Sequence, residues 1–202
     1  MIKDIDILWC RNMVEDKKLS ELSFGDAVIR ENLLDRSPEE LVKVTVHVPK
    51  WTRAAIGILH IDNKISEGRI FTAATNHGTA IIKNEFGDQI NGMDETLRAL
   101  LGSKNDLIVS IVTDFSISVN VVAGAGRRTM MIPLWCKSYL GQIGSNLRMD
   151  FSSVVRLALY CSLSRCETID DHHLDFAMQE ITNFRKKLDE YSSVCKQLVE
   201  IA

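Results

Sequence analysis

The chain has 202 residues, 46% hydrophobic and 25% charged, with a net charge of −3, an ordinary globular composition long enough for one or two domains with real cores. No apolar run approaches ~18 residues, so no membrane span is expected, and Met1 to Asp6 lack the apolar stretch of a secretory signal. The five cysteines, Cys10, Cys136, Cys161, Cys166 and Cys195, are odd in number and show no CxxC spacing, and so read as reduced thiols of a cytoplasmic protein.

Residues 1–40 read as an acidic N-terminal extension. Leu19 to Phe24 and Ala27-Val28-Ile29 suit helical turns, and Ser37-Pro38-Glu39-Glu40 has helix-start chemistry that the following strand cuts short. Residues 43–48 alternate as Lys-Val-Thr-Val-His-Val, the period of a half-buried strand. Val44, Val46 and Val48 share one face; Lys43, Thr45 and His47 share the other. Pro49 stops the strand and opens a helix carrying Trp51, Ala55, Ile56 and Leu59 at helical spacing. Asp62-Asn63-Lys64 breaks it. A second helix starts near Ser66 and carries Ile70, Phe71, Ala74 and Ile81, with His77-Gly78 as a helix end.

Residues 85–126 read as a linker: a short helix from Met93 to Leu101, a Gly-Ser break, a β-rich run over 107–122, and a hinge-like Ala-Gly-Ala-Gly at 123–126. A second strand follows, with Arg127, Thr129 and Met131 on one face and Met130 and Ile132 on the other. Pro133 ends it. Trp135, Tyr139, Leu140 and Ile143 then mark a helix, 146–149 a turn, and Asp150 the N-cap of a helix burying Val154, Val155, Ala158 and Leu159. From Ala177, the residues Ile181, Phe184, Leu188, Tyr191, Cys195, Leu198 and Ala202 form a heptad seam on a long C-terminal helix. That seam suits either a coiled coil with a second chain, giving a homo-oligomer, or packing along its own domain.

The two strand-helix-helix stretches are one pattern used twice. Pro49-Lys50-Trp51 and Pro133-Leu134-Trp135 stand 84 residues apart, and the match extends both ways without a gap. Gly57 falls on Gly141 and Ala74 on Ala158; Lys43, Arg53 and Lys64 fall on Arg127, Lys137 and Arg148. Charge follows the repeat. Residues 41–84 carry six basic and two acidic groups and 127–165 carry six and one, whereas 1–40, 85–126 and 166–202 are each net −4. Positive charge on both copies points to an electropositive surface and an anionic partner.

A basic alternating strand closed by Pro, followed by two helices joined by a short turn, resembles the ribbon-helix-helix DNA-binding family. Met149-Asp150-Phe151-Ser152-Ser153-Val154-Val155-Arg156 is similar to that family's turn into the second helix, and Ile65 to Phe71 fits the same frame more loosely. The resemblance spans 43–83 and 127–167. It implies an α+β, mainly helical fold: two tandem ribbon-helix-helix units at 41–84 and 127–167, paired through a two-stranded antiparallel ribbon, with a C-terminal helix in 168–202. It implies double-stranded DNA as partner, with Lys43, Thr45, His47, Arg127, Thr129 and Met131 reading base edges in the major groove. Phosphate would be met near the second-helix starts, at Ser66, Glu67, Gly68, Asp150, Phe151 and Ser152, and by Arg53 and Lys137. Met131 and Asp150 depart from the pattern: one offers only apolar contact, and the other repels phosphate unless turned into the cap.

Other constellations are weaker. Cys161, Cys166, His172 and His173 lie close together but match no standard zinc spacing, and read as buried thiols and exposed histidines. Trp51 and Trp135 read as core anchors. With no P-loop, no GxGxxG and no nucleophile elbow, the expectation is a transcriptional regulator without catalysis, cofactor or metal. Two alternatives stand: a plasmid or viral DNA-processing or partition factor of the same fold, and a dimerising interaction module that does not touch DNA.

Overall fold

A computed structural model describes residues 18–33, 40–120, 125–167 and 169–201, without the side chains of 59 and 61–63. The molecule is mainly helical, with one two-stranded antiparallel sheet and a long C-terminal helix. A 3-10 turn at Leu19–Glu21 precedes α1 (Phe24–Leu33). Then come β1 (Leu41–Val48), α2 (Lys50–Asn63), α3 (Glu67–Leu101) and α4 (Asp106–Asp114). The chain returns through β2 (Gly126–Pro133), α5 (Leu134–Leu147), α6 (Phe151–Leu163) and α7 (Asp171–Ile201).

The two copies coincide element by element. Shifted by 84, α2 lands on α5, and the start of α3 lands on the start of α6. Each first helix ends on a left-handed residue, Lys64 with φ 55° and Arg148 with φ 51°. A non-glycine there costs roughly 1 kcal/mol, and its recurrence at matched positions marks a turn geometry both units need. Ser66 and Asp150 then cap the second helices, accepting from the backbone N–H of Arg69 and Ser153.

β1 and β2 pair with each other inside the chain, in a register that sets Thr45 opposite Thr129. These are repeat counterparts, so a pseudo-twofold axis passes between them. The hydrogen bonds behind the ribbon obey the same axis. Thr72 Oγ1 on α3 donates to the carbonyl of Met131 at 2.6 Å, and Arg156 Nη1 on α6 donates to the carbonyl of His47 at 3.1 Å. Thr72 and Arg156 are repeat counterparts, as are His47 and Met131. Each second helix therefore braces the other unit's strand. A lone two-stranded ribbon is marginal in water; here its inner face, Val44, Val46, Val48, Met130 and Ile132, is buried on the helices.

The helices cross beneath the ribbon at Gly78, where an added Cβ would lie 1.7 Å from the Ala158 carbonyl oxygen. Close backbone approach is the reason for glycine there, and it corrects the expectation of a helix end at His77-Gly78. Both residues sit inside α3, which runs unbroken for 35 residues and absorbs the expected short helix from Met93 to Leu101. The β-rich run at 107–122 is also corrected. Asn105 Oδ1 accepts from the N–H of Leu107 and Ile108, nucleating α4, whose Ile108 and Val112 are buried. Residues 115–120 are not in the sheet, and 121–124 lie outside the described residues.

The C-terminal seam packs inside its own chain. Ala177, Phe184, Leu188, Tyr191, Cys195 and Leu198 are buried, Ile181 is half-buried, and Ala202 lies outside the described residues. Phe184 meets Phe86 of α3 edge-on at 5.3 Å, and Tyr191 stacks on Phe115 at 3.8 Å. Of the two readings of the seam, packing along its own domain is the one seen. The helix start expected at 37–40 falls mostly outside the described residues, as does Cys10. Cys136, Cys161, Cys166 and Cys195 are buried. No helix among the described residues is long and apolar enough to cross a membrane.

Candidate nucleic-acid interface

Strand alternation sends every second side chain away from the core. On β1 these are Lys43, Thr45 and His47; on β2 they are Arg127, Thr129 and Met131, and all six are exposed. The register places Lys43 beside Met131, Thr45 beside Thr129 and His47 beside Arg127. The two threonine hydroxyls lie 3.0 Å apart in a hydrogen bond, so the centre of the face offers one uncommitted hydroxyl proton and two methyl groups. The ends differ: one carries an ammonium and a thioether, the other an imidazole and a guanidinium. Such a face can donate to guanine or other acceptors at either end and meet apolar groups beside Met131.

Arg156 fixes the ribbon from behind. Besides the His47 carbonyl, its guanidinium donates to the Val119 carbonyl at 3.2 Å and to Ser153 Oγ at 2.7 Å. Burial lowers its pKa, while the charges of Asp150, Tyr160 and Glu180 act in the opposite direction. Val119 is followed by Asn120, whose N–H and side-chain amide donate to Glu180 of α7 at 2.7 and 3.1 Å. Strand β1, the connecting segment and the C-terminal helix thus share one polar network.

The residues expected near phosphate divide into two groups. Ser66 and Gly68 are exposed at the start of α3, but Glu67 is engaged, 2.9 Å from Arg128 and 3.7 Å from Arg53. Asp150 is turned into its cap, accepting from the N–H and hydroxyl of Ser153. Burial alone would raise its carboxyl, but those bonds, the Arg156 charge and the Ser152 N–H hold it below the usual carboxylate range. Phe151 and Ser152 are half-buried; Arg53 and Lys137 are exposed.

Lys50 and Arg128 belong to the same surface and carry no expectation from the sequence. Lys50 sits one turn from Arg53 on α2, a spacing visible in the sequence. Arg128 lies at the start of the inner face of β2 and is half-buried. It lies over the Phe71 ring at 4.8 Å. With Arg127 these cations edge a groove of about 530 Å³ at the His47/Arg127 end of the ribbon, also lined by Glu67 and Phe71.

The two tryptophans are not equivalent. Trp51 is buried, stacked near Tyr160 at 5.7 Å and on His173 at 5.0 Å. Trp135 is 42% exposed, against its expected core role. The cover for Trp51 comes from His173 and Phe176 of α7, outside the repeat, whereas Trp135 edges a shallow groove with Ala27, Ala73 and Asn76. His173 is accordingly half-buried rather than exposed, and His172 is exposed. Among the described residues no group of three or more His, Cys, Asp or Glu is placed to hold a metal. Comparison with protein-family models, curated proteins and solved structures found no match.

Proposed function

We propose that this protein is a sequence-specific double-stranded DNA-binding protein, a transcriptional regulator of tandem ribbon-helix-helix type, whose two units form one ribbon within a single chain. One observation carries the reading. In the within-chain register, the side chains that the repeat and charge pattern singled out lie together on one solvent-facing, cationic ribbon, centred on the Thr45–Thr129 pair. A two-stranded ribbon is narrow enough for the major groove of B-DNA, where arginine, lysine and threonine discriminate base edges.

The internal axis relates backbones, not side chains. Lys43-Thr45-His47 faces one half of the target and Arg127-Thr129-Met131 the other, so the preferred site is not a palindrome. Exposed Ser66, Gly68, Arg53 and Lys137 flank the ribbon and serve the phosphate backbone. Burial of the C-terminal seam favours action as a single chain over assembly through α7.

Selection from random duplexes at two salt concentrations tests the reading. The expected result is one asymmetric motif, relaxed at different positions by Lys43→Ala and Arg127→Ala, each costing ~1–3 kcal/mol at its own step. Weak binding that salt abolishes and that enriches no motif would reject it.

A further inference from the structure

We propose that the groove beside the His47/Arg127 end of the ribbon is a phosphate seat, and that the chain grips DNA lopsidedly, holding the backbone on that flank and only lightly on the other. The inference rests on the DNA-binding reading above, but its observations are separate. The groove is lined by Lys50, Arg53, Arg127 and Arg128, with Glu67 as the only acid among the described residues that line it. Among the described residues Lys50 and Arg127 have no ion-pair partner, and the Arg53 side chain is 66% exposed.

The pseudo-twofold axis supplies an internal control. It carries this groove onto the opposite ribbon end, where Lys50 becomes Leu134, Arg53 becomes Lys137, Arg127 becomes Lys43 and Arg128 becomes the buried Val44. Four cations face two. The backbone frame is shared, so the difference lies in side-chain chemistry alone. Arg127 belongs both to the groove and to the outward face. A duplex seated on the ribbon therefore runs its backbone past the groove mouth.

Glu67 supplies the control element. Its carboxylate lies 3.7 Å from Arg53 and 2.9 Å from Arg128, occupying the place of an anion. Arg128 is held against the Phe71 ring and keeps the carboxylate, while Arg53, on the weaker and more exposed contact, is released to a phosphate. Glu67 thus lowers affinity for any DNA that does not seat well enough to outcompete it.

The test uses the full chain and the selected duplex, with uncharged methylphosphonate linkages placed on one flank at a time. Substitution on the Arg127 flank is expected to weaken binding about tenfold, and on the Lys43 flank less than threefold. Lys50→Ala/Arg53→Ala, at exposed positions and checked for an unchanged melt, is expected to abolish the first effect and reduce the salt slope by about 2, against less than 1 for Lys137→Ala. Glu67→Gln is expected to raise affinity three- to tenfold, a gain that a purely structural ion pair would not produce. Equal sensitivity on both flanks, or sensitivity that survives the double variant, would overturn the proposal. Calorimetry with sodium tripolyphosphate and no DNA separates the two sources of phosphate. If no duplex binds, the function proposed above fails; tripolyphosphate binding lost in the double variant would then keep the groove as a phosphate site, and its absence would overturn that too.

Discussion

The unit starting at Leu41 and the unit starting at Gly126 share their frame: helix ends on left-handed Lys64 and Arg148, capped second helices, and reciprocal bonds from Thr72 and Arg156 to the opposite strand. They part in the side chains that they carry around that frame. Trp51 lies under α7 while Trp135 faces solvent, and one ribbon end gathers four cations against two at the other. The frame is held by the mutual burial of two units, which tolerates little change. The surfaces answer to separate neighbours and have diverged.

The largest expected effect compares the tryptophans. Trp51→Ala should cost about 3–5 kcal/mol in urea unfolding and Trp135→Ala less than about 1, because only the first empties a packed site. Equal costs would mean that Trp135 is covered in solution.

Next comes a pair the axis makes equivalent, His77 and Cys161. His77 bonds Ser162 at 3.0 Å and the Leu22 carbonyl at 3.1 Å; burial, with the Arg165 charge, lowers its pKa to about 4 against the backbone bond to Leu22. The neutral imidazole is the folded form. Its stabilisation is complete above pH 6.5 and is lost as pH falls toward 4, on the order of 3 kcal/mol. His77→Gln should flatten that stretch of the stability–pH curve. The Cys161 thiol, pushed up to about 12 by burial and by Glu85, against the opposing charges of Arg165 and Arg185, stays protonated throughout and should add no slope.

The glycines sharpen the contrast between frame and surface. Gly78→Ala should destabilise by about 3 kcal/mol, since the Ala158 carbonyl cannot move away freely. Gly57→Ala, with nothing within 4 Å of the new methyl, should stabilise by up to about 1 kcal/mol. Paired thermal melts decide both.

The smallest effect separates the caps. Ser66→Ala and Asp150→Ala should each cost about 1 kcal/mol at pH 7. Asp150 has a lowered pKa, so its share is present above pH ~4 and lost as pH falls through the folded value. Urea titrations from pH 7 downward should show the Asp150→Ala penalty shrink as the carboxylate protonates, while the Ser66→Ala penalty persists.

Local chemistry made much of this legible. Alternation over 43–48 and 127–132, the prolines that end both strands, the helix start near Ser66, the cap at Asp150 and the 84-residue offset placed both strands, four helices and the outward six residues. Chain-local preference misled where packing outweighed it. The β-branched run after Leu107 became α4 because Asn105 caps it and Ile108 and Val112 find a buried face. His77-Gly78 continued a helix because Gly78 lets α3 and α6 touch.

Sequence alone determined the repeat, the polarity of each strand face and the segregation of charge, because these are set by residue order within a few turns of chain. Tertiary structure decided that the two strands pair with each other, that α7 spends its seam on its own core, and that Lys50, Arg53, Arg127 and Arg128 meet at one end of the ribbon. Those outcomes depend on which distant surfaces bury each other, and that free energy is not carried by any one segment.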